Sequence, residues 1–165
     1  MSRLQRIAPC LWFDDQAEAA VAFYTSVFPH SRTLFVSHYG EAGQALHGRV
    51  PGSVMSIGFE LDGQAMTALN GGPVFQFNEA ISLQVNCQDQ AEIDHFWAAL
   101  GEGGDASVQQ CGWLKDRYGL AWQIVPAELS LLLTGDAAAA QRVMQALLGM
   151  RRLDLAALRR AHDAG

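Results

Sequence analysis

The tetrapeptide Asp15-Gln16-Ala17-Glu18 returns as Asp89-Gln90-Ala91-Glu92, 74 residues on from position 15 to position 89, and at the same spacing Phe23 matches Trp97 and Ile7 matches Ile81. Self-similarity at a fixed period marks one supersecondary unit used twice, so whatever the first copy folds into constrains the second. A short alternating run opens each copy: Ile7, Pro9, Leu11 and Phe13, then Ile81, Leu83 and Val85. That period of two predicts a strand with one apolar face. A helix follows. Asp15 and Asp89 stand where a carboxylate caps free backbone N–H groups, each with a glutamate, Glu18 or Glu92, three residues later. The stripes Ala20, Phe23, Tyr24, Val27 and Ile93, Phe96, Trp97, Leu100 each lie on one helical face.

Pro29 breaks the first helix, and residues 33–39, 53–61 and 64–69 predict three strands, the last two joined by a tight turn at Asp62-Gly63. The result is a βαβββ unit. In the second copy, 106–111, 112–115 and 120–125 supply the same three strands in shorter form, with the last turn at 116–119. Residues 39–52, rich in glycine, predict a loop with His38 and His47 near its ends, and 70–78 link the copies. After Pro126 the chain turns to Ala, Leu, Met and Arg. Asp136 opens a helix in which Val143, Leu147 and Met150 share a face, and Asp154 opens another. The expected organisation is α+β: one domain over 1–126, built of units at about 4–70 and 79–126, and a helical extension over 127–165 that packs on the sheet or on a second subunit.

Composition excludes several classes of function. A net charge of −6 and a pI near 5.2 argue against a nucleic-acid partner. The arginine pairs 151–152 and 159–160 alternate with Leu153, Leu155 and Leu158, the pattern of a solvated helical stripe. Three cysteines, Cys10, Cys87 and Cys111, are widely spaced and form no CxxC pair, so no disulfide framework is expected. No apolar run approaches the length of a membrane span and the first residues form no signal-peptide core. The expectation is a cytoplasmic protein without a membrane partner.

Several strings occur in a telling order: Pro9-Cys10-Leu11-Trp12-Phe13, Ala68-Leu69-Asn70-Gly71-Gly72, Phe77-Asn78, Ala80-Ile81-Ser82, Cys111-Gly112-Trp113-Leu114-Lys115-Asp116 and Gly119-Leu120-Ala121-Trp122-Gln123-Ile124-Val125-Pro126. Together they resemble PhnB-like proteins of the glyoxalase/bleomycin-resistance (vicinal oxygen chelate) superfamily, sequences often labelled demethylubiquinone methyltransferase-like. The resemblance implies paired βαβββ units forming curled mixed sheets around a cavity, completed by homodimerisation. It spans metal-dependent lyases, isomerases, dioxygenases and transferases as well as non-catalytic drug-sequestering proteins, and fold alone does not choose among them.

In the metal-using relatives each unit offers one ligand near the start of its first strand and one on its last strand. The resemblance carries these positions onto Ala8, Thr67, Ser82 and Gln123. None supplies an imidazole, thiolate or carboxylate, so neither a metal nor another cofactor is expected. His30, His38, His47, His95 and His162 are scattered, and loop exposure is the simpler reading of His38 and His47. Strand alternation turns Cys10, Trp12, Ser82, Gln84 and Asn86 to the face that the resemblance makes a cavity, the resemblance adds Thr67 and Gln123, and Trp113 is a further candidate: a neutral polar lining with aromatic walls suited to a planar or amphipathic small molecule. Trp113 and Trp122 also fit an ordinary core. Glu79 falls near the cavity mouth; Lys115 can reach an anionic ligand, although Lys115-Asp116 also reads as a solvated pair.

No nucleophile motif is present: there is no GxSxG turn, and Cys10 has no neighbouring histidine. Methyl transfer from S-adenosylmethionine normally uses a glycine-rich turn between strand and helix, whereas Gly101-Glu102-Gly103-Gly104 follows a helix. Two readings stand: a metal-free small-molecule-binding protein of the sequestering or carrier type, or an enzyme of the superfamily, including a demethylubiquinone-type methyltransferase.

Overall fold

Parallel pairing between a first and a last strand organises each half of the chain. The computed structural model describes residues 5–164, and the chain divides into the units Met1–Gln76 and Phe77–Gly165. In the first unit β1 (Cys10–Phe13) leads to α1 (Ala17–Val27) and then to β2 (Arg32–His38), a single-turn helix α2 (Gln44–His47), β3 (Val54–Leu61) and β4 (Gln64–Asn70). The sheet order is β1-β4-β3-β2, with β1 and β4 parallel and the other pairs antiparallel. In the second unit β5 (Leu83–Cys87) and α3 (Gln90–Gly101) are followed by β6 (Trp113–Lys115) and β7 (Ala121–Pro126), ordered β5-β7-β6 with β5 and β7 parallel. Three helices close the chain: α4 (Leu129–Leu132), α5 (Ala137–Leu148) and α6 (Leu155–Asp163). This is an α+β architecture with two mixed sheets.

Alternation buries one face of each sheet under its helix. Leu11 and Phe13 on β1, Met66 and Ala68 on β4, and Ile57, Phe59 and Leu61 on β3 meet Ala17, Ala20, Val21 and Tyr24 of α1. Phe23, Val27 and Trp97 of the expected stripes are only half-buried. In the second unit Cys87, Leu114, Trp122 and Ile124 pack under Ile93, Phe96 and Leu100 of α3.

The first strands are shorter than their alternation predicts. Ile7 and Ile81, expected inside, are 87% and 67% exposed. Pro9 has no N–H to continue the ladder, and upstream of it the Gln5 side chain takes the Ala65 backbone groups that a strand would have taken. Ile81 precedes β5, and the chain before β7 is folded into the 116–119 turn, which leaves no partner strand opposite it.

The two helix starts diverge despite their identical tetrapeptides. Asp89 caps α3 as expected: its Oδ1 accepts from Glu92 N at 3.0 Å, while Glu92 Oε2 accepts from Gln88 N at 2.7 Å. Asp15 caps nothing, because the α1 cap comes from β4. Asn70 Oδ1 accepts from Ala17 N at 2.9 Å, and Asn70 Nδ2 donates to Glu18 Oε2 at 2.8 Å and to the Val54 carbonyl at 3.1 Å. Parallel pairing explains the difference. Phe13 is registered with Asn70 and Cys87 with Pro126, so the last residue of each final strand stands beside the helix start. Asparagine brings an amide there and proline does not.

The third strand expected over 106–111 is absent. Asp105 instead caps a 3₁₀ turn, Ala106–Val108, through Ser107 N at 2.8 Å, and Gln110 and Trp113 bridge around a tight turn at Cys111-Gly112. Both turn residues have positive φ, 52° and 83°. Their N–H groups go to the tail, Cys111 N to Met150 O and Gly112 N to Arg151 O, each at 2.8 Å. The tail thus closes on its own unit. Val125 of β7 joins Val143, Leu147, Leu153 and Leu158 in one cluster, and Asp136 and Asp154 cap α5 and α6 as expected.

Replacing Asn70 by Ala leaves a helix start and a buried carbonyl without partners and should lower stability by about 2–3 kcal/mol. Asp15→Ala should stay within about 0.5 kcal/mol of the parent in the same urea titration. At Gly112 a Cβ would stand 2.9 Å from the Ile124 carbonyl oxygen on a left-handed backbone. Gly112→Ala should therefore cost about 2 kcal/mol by the same measurement.

Candidate binding site

The face of each sheet turned away from its helix carries the residues that sequence alternation assigns to a cavity. In the first unit Cys10 is registered with Thr67 and Trp12 with Leu69, so Cys10, Trp12 and Thr67 share that face. Cys10 is exposed and the other two half-buried. Trp12 is held in place: its indole N–H donates to Gly72 O at 2.8 Å, its ring lies on Gly71, and Phe75 meets it edge-on at 4.9 Å. In the second unit one row across the sheet reads Gln84, Gln123, Trp113. Gln123 Nε2 donates to Ser82 Oγ at 2.9 Å, and Gln84 Nε2 donates to Asn86 Oδ1 at 2.7 Å. Gln84 and Asn86 are exposed.

A cavity of about 420 Å³ opens on this face of the second unit, lined by Val108, Cys111, Trp113, Ala121, Lys115 and Glu79, with Gln110 and Leu114 completing it. The floor is β6 and the start of β7, where Lys115 is registered with Ala121. The 3₁₀ turn and the Cys111-Gly112 hairpin form one wall. Its lining is mostly apolar and aromatic, with the Gln110 amide and one ion pair, Lys115 with Glu79, as its polar groups. Of the sequence-assigned residues Trp113 lines this cavity, and Gln123 stands beside Trp113 in the sheet. Cys111 and Val108 were not singled out by strand alternation, because both belong to a turn that strand periodicity does not describe.

Lys115 and Asp116 do not form a solvated pair. Lys115 points into the cavity, whereas Asp116 is 2% exposed. Its Oδ1 accepts from Tyr118 N at 2.8 Å and Leu120 N at 3.1 Å, and its Oδ2 from Trp122 Nε1 at 2.8 Å. Trp122 is core, 2% exposed, and Trp113 is the wall of the cavity.

The hydrogen bond and charge of Lys115 hold the Glu79 carboxyl below the ordinary glutamate value of 4.5. Burial pushes the Cys87 thiol up to about 12, with Glu92 and Asp89 adding to the shift, so it is an inert core thiol.

The donors at the positions that the resemblance assigns to a metal do not fit a first-row ion. Ala8 has no donor atom, Thr67 is a neutral hydroxyl, and Ser82 and Gln123 are bonded to each other. Among the described residues no three His, Cys, Asp or Glu side chains come together as a metal cluster. His47 serves the loop: it stacks on Tyr39 at 4.7 Å, and its Nδ1 accepts from Arg49 N at 3.0 Å. Nor is the Gly101–Gly104 run a nucleotide turn. It leaves the end of α3; Gly103 packs on Arg117, and Gly104 lies against the Lys115 carbonyl too closely for a side chain.

Two mixed sheets, each carrying a helix on one face and pairing its first and last strands in parallel, define an α+β fold of two like units. The model of the 3-demethylubiquinone-9 3-methyltransferase family matches residues 5–125, and the chain belongs to that family, the PhnB-like proteins. The PhnB protein of Bacillus cereus is 32% identical over 73% of this chain and 99% of its own, with a TM-score of 0.63. A protein from Pseudomonas aeruginosa, 19% identical over 74% of this chain and 98% of its own, shares the fold at a TM-score of 0.57. No curated protein matches the chain. Among the described residues no helix is long and apolar enough to cross a membrane.

Because the Glu79 value is depressed, the stabilisation its pair gives is present above the ordinary glutamate range and is lost as pH falls through the lower folded value. The Glu79 side-chain carboxyl followed by NMR should titrate below 4.5, and Lys115→Met should return it toward that value. Iodoacetamide at pH 8 should alkylate the exposed Cys10 and leave the buried Cys87 unmodified until the protein unfolds.

Proposed function

We propose that this chain is a small-molecule-binding protein whose site works without a metal ion. The observation that carries the reading is the cavity beside Trp113: about 420 Å³, enough for a compact organic molecule, with an aromatic wall and a single charged pair. An indole face gives stacking area at little entropic cost, while Gln110, Lys115 and Glu79 offer the polar groups that fix orientation. The neutral Thr67, Ser82 and Gln123 support metal independence, since such donors do not offset the dehydration of a divalent ion.

The same reading has the protein as a cytoplasmic homodimer. Its three cysteines are free. Leu34, Phe35 and Val36 are exposed on β2, an edge strand whose unpaired backbone groups suit association.

The family description favours a second reading, methyl transfer to a quinol from S-adenosylmethionine. Against it stands the glycine run 101–104, whose small residues are accounted for by packing on Arg117 and on the Lys115 backbone.

Protein purified without chelator should contain no stoichiometric metal, and manganese, nickel, zinc and iron should leave its melting temperature within about 1 °C, as expected when no site binds the ion well below its added concentration. Stoichiometric metal, or a shift of several degrees, sinks the metal-free reading. Micromolar binding of S-adenosylmethionine by calorimetry would bring the methyltransferase forward instead.

A further inference from the structure

We propose that the Trp113 cavity selects planar apolar molecules bearing one carboxylate or sulfonate, and that the anion takes the place of Glu79 on Lys115; this rests on the small-molecule reading above. Lys115 is the cation of the cavity and its side chain is largely covered, 22% exposed, whereas Glu79 is 56% exposed. The two partners are unequal in a second way. Lys115 is fixed in β6, registered with Ala121 and two residues from Trp113. Glu79 lies outside helix and strand, in the segment before β5.

An ion pair whose acid is exposed and lies in such a segment is weak, because water competes for the carboxylate and the acid must be immobilised to make it. An entering anion therefore displaces Glu79 at little cost. It gains something that Glu79 does not have, since its apolar body leaves water against Trp113, Val108, Leu114 and Ala121. Charge-assisted bonding to an ammonium is stronger than bonding to a neutral donor, so the cavity discriminates by charge as well as shape.

The other acids near Lys115 do not take this role. Asp116, next in sequence, turns its carboxylate away to Tyr118 N, Leu120 N and Trp122 Nε1. Asp105 is close enough to feel Lys115, and its own carboxylate is engaged by Ser107 N. Its charge weakens an incoming anion without competing for the bond. Glu79 is thus a placeholder: it keeps the lysine paired when the cavity is empty and leaves when a better-covered anion arrives.

The test compares two probes of one shape, 2-naphthoate and neutral 2-naphthalenemethanol, by isothermal titration calorimetry on the full-length protein. 2-Naphthoate should bind the parent more tightly than the alcohol. Lys115→Met should weaken 2-naphthoate about tenfold or more and leave the alcohol unchanged. Glu79→Gln should tighten 2-naphthoate about two- to fivefold, again without effect on the alcohol. Both substitutions lie at an exposed pair, and circular dichroism checks that each variant is folded. Binding of both probes with equal affinity, unmoved by either variant, overturns the anion selection while leaving the cavity as a binding site. If neither probe binds, the small-molecule reading falls and this inference with it.

Discussion

Parallel pairing of a first and a last strand sets a problem that each unit has to solve. It brings the end of the final strand beside the start of the helix, where free N–H groups point outward and the surroundings are apolar. Asn70 answers in the first unit, tying the α1 start to β4 and to the Val54 carbonyl, while its own carbonyl accepts from Tyr39 at 2.6 Å. Tyr39 and Arg49 then anchor the 39–52 loop, Arg49 by donating to the Asp14 carbonyl at 2.6 Å. In the second unit Pro126 removes that option, the cap returns to Asp89, and a buried carboxylate, Asp116, secures the turn before β7. Asn70 and Asp116 are the buried polar side chains of the described residues; Asn70 ends β4, and Asp116 lies in the turn between β6 and β7.

From this divergence the cavity follows. In the first unit β2 fills the sheet edge beside β3. The second unit has a 3₁₀ turn and a two-residue hairpin at the corresponding point, and its sheet ends at three short residues of β6. The gap is where the cavity lies. Its hairpin wall would be loose by itself, since two consecutive left-handed residues make a turn with few side-chain contacts. The tail supplies the missing support through the carbonyls of Met150 and Arg151 and through Leu153, which packs on Gly112. The tail thus supports a wall of the cavity, and β7 between them is buried along nearly its whole length, Trp122 and Ile124 under α3 and Val125 against the tail.

The units, their helices, the tail caps at Asp136 and Asp154, and most strands were legible because each rests on local periodicity or a local cap. What escaped was non-local. That Asn70 rather than Asp15 caps α1 depends on a register between residues more than fifty positions apart. That Ile7 and Ile81 lie outside depends on where a partner strand stops. The site divided in the same way: Trp113, Glu79 and Lys115 could be singled out by residue type and position, but Cys111 and Val108 lie in a turn whose shape is set by the tail. Asp116 misled because a Lys-Asp pair in a turn reads as solvated, whereas three N–H donors converge on its carboxylate.

Family membership fixes a scaffold and leaves its chemistry open, so the donors decide. Where the resemblance assigns metal ligands, this chain has an alanine, two hydroxyls and an amide, and the second unit's pair is closed on itself by the Ser82–Gln123 bond. The Ser82–Gln123 bond leaves a neutral sheet face at those positions. The charged group of the cavity stands instead on the edge strand β6, where Lys115 lines a mostly apolar cavity and its sequence neighbour Asp116 is turned away from it. Leu114 is buried between the half-buried Trp113 and Lys115 of β6, and Asp116, just past the strand, is held inside by its three N–H donors. On the proposed reading, a single cation beside an indole, paired to an exposed acid, suits reversible recognition, because the pair a ligand must break is weak and the aromatic surface it meets is large.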